Sequence, residues 1–163
     1  MPLPGVLPHD LALIHARGKA AGAAPSPDLI VAADTVVDLD GTALGKPKDR
    51  VESRMMLERL AGREHQVHTA FILRDDRTGM QTEHLETTRV RFAPLEPATI
   101  SAYVASGDGL DKAGAYGIQG FAATLVERID GDYFTVVGFP LAAFAHSLTR
   151  LGYQLLPAAR VCA

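Results

Sequence analysis

The unbroken apolar run Leu29-Ile30-Val31-Ala32-Ala33 constrains this chain more than any other stretch. A short continuous run of this kind reads as a strand buried on both faces, and it ends on a carboxylate, Asp34. Around it, strand-like and helix-like segments mix without strict alternation. That pattern predicts an α/β domain with a mixed sheet and flanking helices. With 163 residues, of which 47% are hydrophobic, the chain suits one core, and a single domain is expected over residues 1–163.

Leu11, Leu13, Ile14 and Ala20 predict a first helix after a proline-rich opening, residues 1–8, expected as a loose arm. Val36 and Val37 continue extended beyond Asp34. Asp40-Gly41 is a hairpin turn from which Thr42 to Leu44 returns. Asp49 followed by Glu52 is a helix-capping pattern, with Met55, Met56 and Leu60 as the apolar face and Gly62 as the stop. Val67, Thr69, Phe71 and Leu73 alternate as in a half-buried strand, and Thr88, Val90 and Phe92 form its partner. Pro97 opens a helix carrying Ile100, Tyr103 and Val104, which closes near Gly107. Thr124 to Ile129 and Tyr133 to Val137, around Asp130-Gly131, predict a second β-hairpin, and Leu141 to Leu151 a last helix.

A formal net charge of −3 gives no basis for a nucleic-acid backbone or an acidic membrane as partner. The single cysteine, Cys162, excludes an intrachain disulfide and a thiolate metal cage. No apolar run approaches ~18 residues, and the first residues lack the pattern of a signal peptide, so the cytoplasm is the expected compartment.

Three segments carry possible chemistry. Asp34, just past a buried strand, lies where open α/β sheets place ligands, and there it could hold a divalent metal or take a proton from water. Strand position alone equally allows a turn-capping aspartate. In Gly45 to Asp49, Lys46 and Lys48 flank a proline before a helix, a setting that favours anions. On spacing alone it is an ordinary solvated pair. In Asp111 to Gly120, Gly114, Gly117 and Gly120 recur every third residue, which permits close approach to a ligand. Gln119 can donate and accept at once, as the edge of a nucleobase requires, and Lys112 can meet a phosphate. A flexible surface loop fits the same spacing. His65 and His68, three apart on a strand, face opposite ways and do not form a shared metal site.

Taken in order, AADTVV at Ala32 to Val37, LGKPKD at Leu44 to Asp49, DKAGAYGIQG at Asp111 to Gly120 and VVGFPL at Val136 to Leu141 resemble the Maf family of nucleoside-triphosphate pyrophosphatases. RGKA at Arg17 to Ala20 resembles that family's helix ending in a lysine, and the likeness runs from about His9 to Leu155. It implies a fold with a cleft between two lobes. It also implies hydrolysis of a nucleoside triphosphate to the monophosphate and pyrophosphate, dependent on Mg²⁺ or Mn²⁺. On the matching positions Asp34 would accept the proton and face the metal, and Thr35 and Gln119 would help choose the base. Lys19, Lys46 and Lys112 would face phosphates or metal-bound ligands. The YGIQG form looks like the branch acting on dTTP and UTP.

The sequence departs from the family in two milder places, Thr135 where an asparagine is usual and Asp108 where a glutamate is usual. It also begins after the family's opening strand and arginine loop, which implies weakened activity and a bare sheet edge open to homodimer formation. The alternative reading is a nucleotide-binding regulator that keeps the pocket without turnover.

Overall fold

The computed structural model describes residues 5–155. In chain order the elements are α1 (Pro8–Gly22), β1 (Ile30–Leu39), β2 (Thr42–Leu44), α2 (Arg50–Leu60), β3 (Glu64–Asp75), β4 (Met80–Phe92), α3 (Pro97–Ser106), β5 (Val126–Asp130), α4 (Tyr133–Val137) and α5 (Leu141–Arg150). Two short 3₁₀ turns, Ala113–Ala115 and Phe121–Leu125, lie between α3 and β5. The strands form one sheet in the order β2-β1-β3-β4-β5. The expected α/β layering with flanking helices is present. In place of mixed pairing, every pairing among the described residues is antiparallel.

β3 is the centre of the domain, and it is buried on both faces where the alternation of Val67, Thr69, Phe71 and Leu73 implied one. Its even positions Ala70 and Ile72 pack with Val36 against α1 through Leu11, Ala12, Ala16 and Ala20. On the other face, Val67 joins Val37, Leu57, Leu60, Val90, Phe92 and Tyr103 in a core roofed by α2 and α3. Phe71 and Leu73, further along that same face, pack against α5 through Phe144 and Leu148. Between these two groups lies Thr69, buried under the short α4, whose Thr135 carbonyl accepts from its hydroxyl. The two groups of helices form two lobes on this face, with a gap between them beside α4 at the β1 edge.

Several local expectations change. The apolar run at the start of β1 is covered less fully than its sequence implied, with Val31 46% exposed. β1 continues to Leu39, so Asp34 sits in mid-strand rather than at a strand end. Leu57, not Met55, completes the buried face of α2, because Met55 points to solvent. Residues Tyr133–Val137 form a short helix, not a returning strand: the Asp132 carboxylate accepts from Thr135 N and caps it. Of the arm expected over residues 1–8, residues 1–4 and, at the other end, Cys162 lie outside the described residues. Val6 packs against the α1 cluster, and Pro8 opens that helix.

The cap of α2 is formed as the sequence implied, with Asp49 Oδ1 accepting from Glu52 N at 2.9 Å. Glu52 returns the contact by accepting from Lys48 N at 2.7 Å. On the β2 side, β1 is paired only at Val37, Asp38 and Leu39. Among the described residues its edge from Ile30 to Val36 has no strand beside it. No described helix is long and apolar enough to cross a membrane.

Candidate active site

The gap between the lobes is a cleft of about 370 Å³ that wraps the open edge of β1. Successive β1 residues point to opposite faces, so Asp34 looks toward α1 while Thr35, paired with Thr69, looks into the gap from the other face. All six residues singled out from the sequence, Lys19, Asp34, Thr35, Lys46, Lys112 and Gln119, line this one cleft. Lys48, the other lysine of the expected phosphate cradle, does not. At the N-terminus of α2 the Asp49 carboxylate takes up the N–H of Glu52.

Asp34 is held from both sides by α1. Lys19 Nζ donates to Asp34 Oδ1 at 2.7 Å and to Ala33 O at 2.8 Å, while His15 Nδ1 lies 3.0 Å from Asp34 Oδ2. His15 and Lys19 are one helical turn apart, so one face of α1 delivers both. That spacing was the signal by which His15 could have been found from the sequence. Among the described residues Asp34 is the single acidic side chain lining the cleft, and no three His, Cys, Asp or Glu side chains converge on a point.

The opposite wall is the loop from Gly107 to Gly120. It folds tightly on itself: Gly114 adopts a left-handed φ of 68° against Val37, and its N–H donates to Gly45 O at 3.1 Å. This stitches the Lys112 and Gln119 loop to the Lys46 loop. Lys112 Nζ donates to Asp111 Oδ1 at 2.6 Å, which holds the Asp111 carboxyl below its usual range. The Gln119 side chain stays exposed at the rim. Tyr116 is buried, and its hydroxyl meets His65 Nε2 at 2.7 Å beneath the loop. Phe92 sits edge-on to both rings. Val136, Val137 and Gly138 form the third wall, which the sequence does not mark as pocket-forming because Tyr133–Val137 reads as a strand.

His65 has a consequence for stability. Burial lowers its imidazole from an ordinary 6.5 to about 4, and its Nδ1 has no hydrogen-bond partner. The unfolded chain takes up this proton near pH 6.5 while the folded chain does not until about pH 4. Stability is thus full above the upper value and falls as the pH drops through this window, by on the order of 3 kcal/mol. Burial also lowers His68, which acts in the same direction. Urea unfolding at about pH 7 and about pH 4.5 should show this loss, and His65→Phe should flatten part of it. Equal stability of the parent chain at both values would contradict the assignment.

Comparison with known proteins matches residues 4–151 to the family described as Maf-like protein. A dTTP/UTP pyrophosphatase of Thermus thermophilus is 49% identical over 143 residues, covering 88% of this chain and 75% of that protein. Proteins of the same name from Syntrophomonas wolfei and Geobacter sulfurreducens are each 45% identical, covering 94% and 93% of this chain and 82% and 80% of their own lengths. The family match spans the helix, the strand and the three loops that converge on the cleft. This chain belongs to the Maf family.

Proposed function

We propose that the chain hydrolyses nucleoside triphosphates, dTTP and UTP foremost, to the monophosphate and pyrophosphate. The observation that carries this reading is the convergence in one cleft of a single carboxylate, three lysines and two groups able to read a base. The names of the similar proteins support the choice of substrate. Attack of water on the α-phosphorus needs a proton acceptor, and cations for the pyrophosphate that leaves. Asp34 is the acceptor. Its carboxylate is fixed by Lys19 on one oxygen and His15 on the other, and each oxygen keeps a lone pair for the water proton. Lys46 and Lys112, from the loops across the cleft, meet the phosphates. Thr35 and Gln119 hold the base.

One carboxylate suits a divalent ion that keeps several waters and is shared with substrate phosphates, rather than one caged by protein alone. Asp34 would hold it, and Mg²⁺ or Mn²⁺ bound with the triphosphate would neutralise phosphate charge and polarise the reacting phosphoryl group.

The test is pyrophosphate release across the common nucleoside triphosphates and methylated GTP, with each metal. We expect dTTP and UTP to exceed ATP, GTP and CTP in kcat/KM by about tenfold or more, with loss of turnover on chelation. Saturable binding of UTP with no pyrophosphate released would instead favour a nucleotide-binding regulator.

A further inference from the structure

Thr35 stands over a buried chain of hydroxyl groups that dictates which way its own proton points. Thr69 Oγ1, fully buried, lies 2.8 Å from the carbonyl oxygen of Thr135 and 2.9 Å from Thr35 Oγ1. A carbonyl oxygen only accepts, and a threonine hydroxyl has one proton. Thr69 therefore spends its proton on Thr135, and the hydrogen bond between Thr35 and Thr69 must use the proton of Thr35. Thr135 is itself pinned, since its N–H and hydroxyl both donate to Asp132 Oδ2. Gly138 keeps the space beside the Thr35 hydroxyl open, as a methyl there would sit 3.4 Å from it.

We propose that Thr69 is a positioning residue that sets base specificity by making the Thr35 oxygen an obligate acceptor toward the cleft. A group offering only lone pairs pairs with a ring N–H, which uracil and thymine carry at N3. It is mismatched with cytosine, whose N3 is itself an acceptor and would leave two lone pairs facing each other. This inference rests on the reading that the cleft takes uracil and thymine nucleotides. It assigns the discrimination to a residue that touches no ligand.

The experiment measures binding of the α,β-methylene analogues of UTP and CTP, which are not hydrolysed, by titration calorimetry with Mg²⁺. The parent chain should prefer the UTP analogue. Thr69→Val keeps the shape but frees the Thr35 proton to turn into the cleft, and should cut that preference by about tenfold. Thr69→Ser, which keeps the hydroxyl, should hold the preference within about threefold of the parent. If the valine variant does not fold, as judged by its thermal transition, Thr69→Ala carries the same test. An unchanged preference in a folded Thr69→Val or Thr69→Ala variant overturns the role of Thr69, including the case where both affinities fall equally. Absence of any preference in the parent overturns the substrate reading itself.

Discussion

Asp34→Asn is expected to lower kcat on dTTP and UTP by about 10²–10⁴-fold while the protein still folds and binds nucleotide. The change keeps the size of the side chain but removes both the charge and the ability to take a proton. What it gives up structurally is small. The Lys19 ammonium that pairs with Asp34 is 56% exposed, and pairs of this kind contribute roughly 0–1 kcal/mol. The melting temperature should therefore move by only a few degrees. Turnover within about threefold of the parent would mean that Asp34 merely ties α1 to the sheet.

Gly109→Ala should have the largest effect among residues that touch no substrate. A methyl group there would lie 1.9 Å from the carbonyl oxygen of Ala115 and 2.6 Å from its carbon, both backbone atoms with no rotamer to retreat into. The loop must shift, and with it Lys112, Tyr116 and Gln119. Displacement of about 1 Å at a reacting centre costs on the order of 10²-fold, so kcat/KM should fall by at least that much. Overpacking of this kind also destabilises by about 1–3 kcal/mol, visible as a lower urea midpoint. Gly18→Ala is the matched control. It lies on the exposed side of α1 with nothing within 4 Å, and alanine there favours the helix. Comparable losses in both variants would show that the tight fold of the loop is not what matters.

What the sequence disclosed and what it hid differ for physical reasons. The turn at Asp40-Gly41, the cap of Asp49 on α2 and the stop at Gly107 were legible because each is a local contact within a few residues. Lys19, Asp34, Thr35, Lys46, Lys112 and Gln119, six of the residues that line the cleft, were legible from the motifs of a family, not from spacing, which left Asp34 and both loops ambiguous. β3 is buried on both faces because Ala70 and Ile72, on the second face, pack against α1, and His68 on that face finds Thr87 and Asp38 inside the fold. Alternation reports only side-chain polarity, not the partner that satisfies it. Tyr133–Val137 reads as a strand because aromatic and β-branched residues favour strands, but the Asp132 cap holds it as a five-residue helix. The hydroxyl chain through Thr35, Thr69 and Thr135 depends on strand register and on α4 crossing the sheet, and no local pattern encodes it.

Hydrolysis of dTTP in water enriched in heavy oxygen, with the products weighed by mass spectrometry, tests directly where this cleft directs the attack. If Asp34 activates water against the α-phosphorus, the label enters dTMP, and the pyrophosphate released with it carries none. Label in pyrophosphate, or release of orthophosphate and dTDP, would contradict the mechanism.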